Sequence, residues 1–113
     1  MLAFTLVGTN NYASAAYAGL DAVNGAGAVH IAAPGVGLDD GFTGYKGQVG
    51  DPPRPRWGDY GAAAVDGNSI WIASEYIAQS CSLDQWLTAP IGRCGNTRGA
   101  LGNWSTHVSK ITP

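Results

Sequence analysis

The stretch Gly61-Ala62-Ala63-Ala64-Val65-Asp66-Gly67-Asn68-Ser69-Ile70-Trp71-Ile72-Ala73 decides the fold. At its centre, Asp66-Gly67 tolerates the positive φ angles that a tight hairpin turn demands. The outgoing arm is rich in β-branched and aromatic residues, which suit a pleated, half-buried surface. Alanine favours helix by propensity. The incoming alanine run, however, is only five residues long, with Gly61 before it and Asp-Gly after it. The stretch therefore predicts an antiparallel hairpin.

A similar pattern occurs once before. Ala18-Gly19-Leu20-Asp21-Ala22-Val23 runs into Asn24-Gly25 and leaves through Ala28-Val29-His30-Ile31-Ala32. Gly19 and Gly61, Ala22 and Ala64, Val23 and Val65, Asn24 and Asp66, and Gly25 and Gly67 are each separated by 42 positions. Strand-built repeats of ~40–45 residues are the spacing of propeller blades. One such unit cannot bury its own faces, so units stack. Phe42-Thr43-Gly44-Tyr45-Lys46 is expected to close the first unit, and Trp104 to Ile111 the second. Leu2 to Val7 reads as a leading strand, the outer strand of a preceding blade. The expected organisation is one all-β, antiparallel, propeller-like unit over 1–113: a first blade at 13–47, a linker at 48–56 and a second blade at 57–113. The linker contains Pro52, Pro53 and Pro55, which cannot serve a central ladder.

Composition agrees. Glycine supplies 17 of 113 residues and charged residues only 12%, against typical shares of ~7% and ~25%. Low charge argues against disorder, and glycine with aromatics fits short strands joined by tight turns. The net charge is -2, and no basic cluster extends beyond Arg54 and Arg56, so a nucleic-acid partner has no electrostatic footprint. No apolar stretch approaches the ~20 residues that a spanning helix needs, so no membrane role is expected. Met1-Leu2-Ala3-Phe4 lacks the basic start of a signal peptide, and the chain reads as beginning in mid-strand.

Cys81 and Cys94 lie 13 positions apart and flank a segment rich in turn formers. A disulfide there would stabilise by ~3 kcal/mol in the chain-entropy model and implies an oxidising, extracellular compartment. A zinc site fits poorly, because no Cys-x-x-Cys exists and His30 and His107 are distant. Asp39, Asp40 and Asp51 match no calcium-loop spacing and read as solvated turn acids. No metal and no cofactor are expected.

The most distinctive motif is Arg56-Trp57-Gly58-Asp59-Tyr60, a cation, an aromatic, a carboxylate and a phenol at the mouth of a strand. Trp71-Ile72-Ala73-Ser74-Glu75-Tyr76 returns another carboxylate and phenol, and Asn103-Trp104-Ser105-Thr106 opens the closing strand. With these residues the chain resembles secreted bacterial proteins of sialidase-like, BNR-type propeller architecture. The likeness spans most of 13–113 and is tightest over 54–76. It implies a propeller fold and secretion more than an activity. The Asp-box of true sialidases, Ser-x-Asp-x-Gly-x-x-Trp, is absent.

The candidate ligand-binding residues are Arg56, Asp59, Tyr60, Glu75 and Trp86. Asp59 and Glu75 lie at similar distances from the Asp66-Gly67 turn, so they are expected at one open end of one hairpin. There they read either as a carboxylate pair flanking a glycosidic bond or as an Arg-centred cluster that pins the blade. Trp86, in the disulfide loop, is the best candidate for an exposed ring, whereas Trp71 and Trp104 are expected to pack between strands. His30 and His107 read as structural. The favoured function is a non-catalytic extracellular propeller segment that binds carbohydrate or protein, or is structural, with the remaining blades as partners. The rival is part of a sialidase-like glycoside hydrolase whose other catalytic residues lie outside this chain.

Overall fold

The computed structural model describes residues 1–43, 58, 60–99 and 102–112. The described residues form two three-stranded antiparallel sheets and one short helix. Strands β1 (Leu2–Gly8), β2 (Asn11–Asp21) and β3 (Gly25–Ala33) make the first sheet, with β2 central. Strands β4 (Ala62–Asp66), β5 (Ser69–Ile77) and β6 (Trp104–Ile111) make the second, with β5 central. The fold is all-β and antiparallel, and the alanine run is strand, as the Asp66-Gly67 turn requires.

Among the described residues the third strand of the first sheet is β1, and Phe42 and Thr43, expected to begin it, are not in that sheet. Gly8 pairs with Asn11 across a turn of Thr9 and Asn10, so Leu2–Gly8 belongs to the same sheet as β2 rather than to a preceding one. Phe42 and Thr43 lie in a bend, and 44–46 fall outside the described residues. The bend has a local cause. The Asp40 Oδ1 atom accepts the backbone N–H groups of Phe42 at 3.2 Å and Thr43 at 3.0 Å, which curls the chain away from a ladder.

The two hairpins are not structural copies. The second closes on Gly67-Asn68, with Asp66 opposite Ser69 and Gly67 at φ 58°. The first closes on Ala22-Val23-Asn24, with Asp21 opposite Gly25. Asp21 Oδ1 accepts from the N–H groups of Val23 and Asn24, fixing a longer turn, and Gly25 leaves it at φ 77°. Ala22 and Val23 thus lie in a turn where Ala64 and Val65 lie in a strand. The central strand, moreover, is the first arm of one hairpin and the second arm of the other.

The sheets stack with β1 against β4 and β5, β2 against β5, and β3 against β6. Cα atoms of β2 and β5 come within 8 Å, closer than the usual ~10 Å between stacked sheets. Alanine permits this: Ala13, Ala15, Ala16 and Ala18 of β2 are all buried. Across from them Ile72 and Ser74 are buried, while Trp71 and Glu75, one position out of phase, are not.

A second buried cluster holds the end of β5. Ile77 and Asn103 are fully buried, and Cys94 and Arg98 nearly so. The connection after β3 crosses this end, with Val36 N donating to Ile77 O at 3.0 Å and Asn103 Nδ2 to Leu38 O at 2.9 Å. Helix α1 (Leu83–Leu87) lies in the segment between β5 and β6. Ser82 and Gln85 cap it reciprocally, a capping box legible as Ser-x-x-Gln in the sequence. Cys81 and Cys94 are bonded, with Cα atoms 6.1 Å apart.

Candidate functional site

Of the expected ligand-binding residues, Arg56 and Asp59 lie outside the described residues. Tyr60 is 81% exposed just before β4. Glu75 is half-buried on β5, and its Oε2 accepts the backbone N–H of Gly58 at 2.5 Å. Its carbonyl accepts the Thr5 hydroxyl at 3.0 Å, which ties the first sheet to this corner. The Glu75 carboxylate thus anchors the chain entering β4.

Trp86 is not a free ring. It is half-buried on α1, edge-on to Phe42 with centroids 6.0 Å apart, and its Nε1 is closed off without a hydrogen-bond partner. The more exposed tryptophans are Trp71 and Trp104, at 41% and 39%. They share the outer face of the second sheet, because β5 and β6 pair Trp71 with Lys110 and Ile77 with Trp104. Trp71 Nε1 donates to Asp66 Oδ2 at 3.1 Å, and Lys110 Nζ meets the same oxygen at 3.2 Å while lying 5.3 Å from the Trp71 ring centroid. The Trp71 hydrogen bond and then that of Lys110 hold the Asp66 carboxyl below its ordinary range. His30 stacks on Tyr17, and His107 meets Tyr76 edge-on.

The strongest polar cluster centres on Arg98, which sequence reasoning did not single out. Its Nη2 donates to Asp40 Oδ2 at 2.8 Å and to Thr43 Oγ1 at 2.7 Å, its Nε to Gly102 O at 3.3 Å, and its Nη1 approaches the Cys81 sulfur at 3.5 Å. The pair is buried, with the side chains of Arg98 and Asp40 only 1% and 4% exposed. Asp40 is therefore not a solvated turn acid. Burial pushes its carboxyl up, but the Thr43 hydroxyl and amide and the Arg98 guanidinium together outweigh this and hold it below its ordinary range. The sequence signal for this hub was faint: one arginine four positions after a cysteine, and two adjacent acids far upstream.

The neighbouring acid has a different setting. Asp39 lines a cleft of about 460 Å³ between the β1–β2 turn (7–13) and the loop 37–39. Its Oδ2 is shut off without a partner, and among the described residues its Oδ1 receives only the Gly41 N–H at 3.4 Å. The described residues contain no cluster of three or more His, Cys, Asp or Glu able to hold a metal ion. No helix among them is long and apolar enough to cross a membrane.

Compared with known proteins, the chain matches no protein family, no curated protein sequence and no solved structure. The resemblance to sialidase-like propellers therefore rests on the motif residues alone.

Proposed function

We propose that the chain is a non-catalytic, extracellular β module, a pair of propeller-type sheets whose outer face is covered by a further sheet, with a binding or structural role. The observation that carries this reading is the inverted polarity of β6. In a sheet with one solvated face, apolar residues point inward and polar ones outward. In β6 the more exposed positions are Trp104, Thr106, Val108 and Lys110, while Ser105, His107, Ser109 and Ile111 are more covered. Val108 is 58% exposed beside Trp71 and Trp104. The outer face is thus dressed for contact.

A neighbouring sheet is the favoured occupant, because a row of small and flat groups (Ala62, Ala64, Ala73, Trp71) suits sheet-on-sheet packing. The disulfide is compatible with an oxidising, extracellular setting. No observation among the described residues favours the glycoside hydrolase alternative, since Glu75 is engaged by Gly58 and the other acid proposed for the pair lies outside them.

Analytical ultracentrifugation tests the reading. The isolated chain should self-associate with rising concentration and bind a hydrophobic dye, a second copy standing in for the neighbouring sheet. Val108→Lys, at a position 58% exposed, should suppress both without lowering the melting temperature. A chain that stays monomeric at high concentration and binds no dye would refute the proposal.

A further inference from the structure

The disulfide cluster carries a second activity, independent of the outer face of the second sheet. We infer that the Cys81–Cys94 bond is a thiol-exchange site, at which a low-molecular-weight thiol forms a mixed disulfide with Cys81 and releases Cys94 as a thiolate beside Arg98. Three features of the cluster lead there: unequal access to the two cysteines, a buried cation at both sulfurs, and a strained backbone around Cys94.

Access selects the cysteine that is attacked. Cys94 is buried, at 5% exposure, whereas Cys81 is half-buried between the exposed Ser80 and Ser82. An incoming thiolate therefore reaches Cys81 first. Its attack on Cys81 Sγ forms one sulfur–sulfur bond and breaks another, and the bonding pair leaves on Cys94 Sγ. The incoming thiol is itself the reductant, and the step moves no proton.

The surroundings favour the leaving group. A thiol leaves faster the lower its pKa, and a neighbouring arginine lowers it. Arg98 is that neighbour. Its Nη2 is committed to Asp40 and Thr43 and its Nε to Gly102 O, while its Nη1 faces Cys81 Sγ at 3.5 Å and Cys94 Sγ at 4.0 Å. Asp40 is the competing anion, but it bonds to the other arm of the fork and leaves Nη1 to the sulfurs. Cysteine sulfur in its uncharged forms is a weak acceptor. A thiolate would accept a charge-assisted hydrogen bond, roughly twice as strong as a neutral one. Opening the bridge thus improves the bonding of a guanidinium that the closed bridge serves poorly.

The backbone points the same way. Cys94 sits at φ 48° and Asn96 at φ 66°, in the left-handed region that residues other than glycine seldom enter. Such conformations persist where the surrounding structure enforces them, and they cluster at functional and switch regions. The bridge is one of the constraints on Cys94, so exchange at Cys81 lets this turn relax.

The test is brief exposure of the folded chain to excess reduced glutathione at neutral pH, an acid quench, alkylation and peptide mapping by mass spectrometry. The glutathione adduct should lie on Cys81 and the alkyl group on Cys94, with about tenfold or more excess over the reverse. In the isolated adduct Cys94 is the one free thiol, since the chain has two cysteines. Its titration, followed by the ultraviolet absorbance of thiolate, should show about tenfold more thiolate at neutral pH than the same adduct unfolded in urea, where the ordinary midpoint of about 8.5 applies. Arg98→Met should abolish that excess and Arg98→Lys should keep part of it. The comparison with urea uses the native sequence, so it decides even where a variant fails to fold. Four results would each overturn the inference: no adduct, an adduct divided equally or placed on Cys94, equal thiolate fractions in buffer and urea, or a folded Arg98→Met adduct that keeps the excess.

Discussion

Replacing Arg98 with methionine should do more damage than any other single charge removal among the described residues. Methionine keeps most of the volume and removes the guanidinium. Three hydrogen bonds vanish, to Asp40 at 2.8 Å, to Thr43 at 2.7 Å and to Gly102 at 3.3 Å. The Asp40 carboxylate stays behind, 4% exposed, with its cation gone. Breaking a buried pair by deleting one partner costs ~3–5 kcal/mol. Asp40 keeps the Phe42 and Thr43 amides and the Thr43 hydroxyl, so the low end, about 3 kcal/mol, applies. Against a typical total of ~5–15 kcal/mol that is a large fraction.

Urea unfolding followed by tryptophan fluorescence, with the disulfide intact, reads the loss directly. Adding Asp40→Asn to Arg98→Met should recover at least ~1 kcal/mol, because the stranded charge is then removed. The same pair predicts a pH dependence. Folding holds the Asp40 carboxyl below its ordinary value of 3.8. Its stabilisation is therefore complete above the unfolded value and is lost as pH falls through the lower folded value. The native protein should weaken steeply in that acid window and Arg98→Met less so. A cost below ~1 kcal/mol for Arg98→Met, or no recovery in the double variant, would refute the buried-pair reasoning.

Three further outcomes are expected. Cys81→Ser with Cys94→Ser should cost about 3 kcal/mol and raise hydrogen exchange over 78–103 ahead of the sheets, since the bridge spans a separation of 13. Gly35→Ala should cost ~1–3 kcal/mol, as overpacking does, because its new methyl would collide with the Ala13 carbonyl and lie 2.9 Å from Tyr12 C; thermal melting checks it. Lys110→Ala should leave the melting temperature unchanged within error, because the Lys110–Asp66 pair is exposed on both sides, at 46% and 58%.

Local chemistry made the hairpins and the disulfide legible. Asp66-Gly67 announces its turn, and glycine at φ 58° is the residue such a turn requires. The partner of β2 was not legible in the same way. Leu2–Gly8 and 42–46 both carry strand-forming residues, and what excludes Phe42 and Thr43 is the Asp40 side chain seizing their amides, a choice invisible to strand propensity. The 42-residue echo misled for a related reason: Asp21 captures Val23 and Asn24, so the first turn begins three residues earlier than its counterpart. Of the expected site residues, the structure describes Tyr60, Glu75 and Trp86, and it seats Glu75 on the Gly58 amide and Trp86 against Phe42. Arg98 was overlooked because its partners, Asp40 and Thr43, lie 58 and 55 positions away, and no spacing rule links them.

Asp39 and Asp40 show why adjacent identical residues diverge. In a bend, successive side chains leave in different directions, so one backbone loop can serve two environments. Asp40 turns to the disulfide cluster, where a guanidinium, a hydroxyl and two amides meet every need of its carboxylate. Asp39 borders the cleft with one long contact. Had both been satisfied, the loop would be structural throughout; had neither been, its two charges would repel and open it. Satisfying one acid fixes the loop, and fixing the loop sets where the other is held. The Arg98 pair thus has a role beyond its own bonds, because it holds the bend whose Phe42 and Thr43 amides Asp40 accepts. On this argument Arg98→Met raises hydrogen exchange at the Phe42 and Thr43 amides even where the sheets remain folded, whereas Lys110→Ala, on the outer face, leaves those amides unchanged.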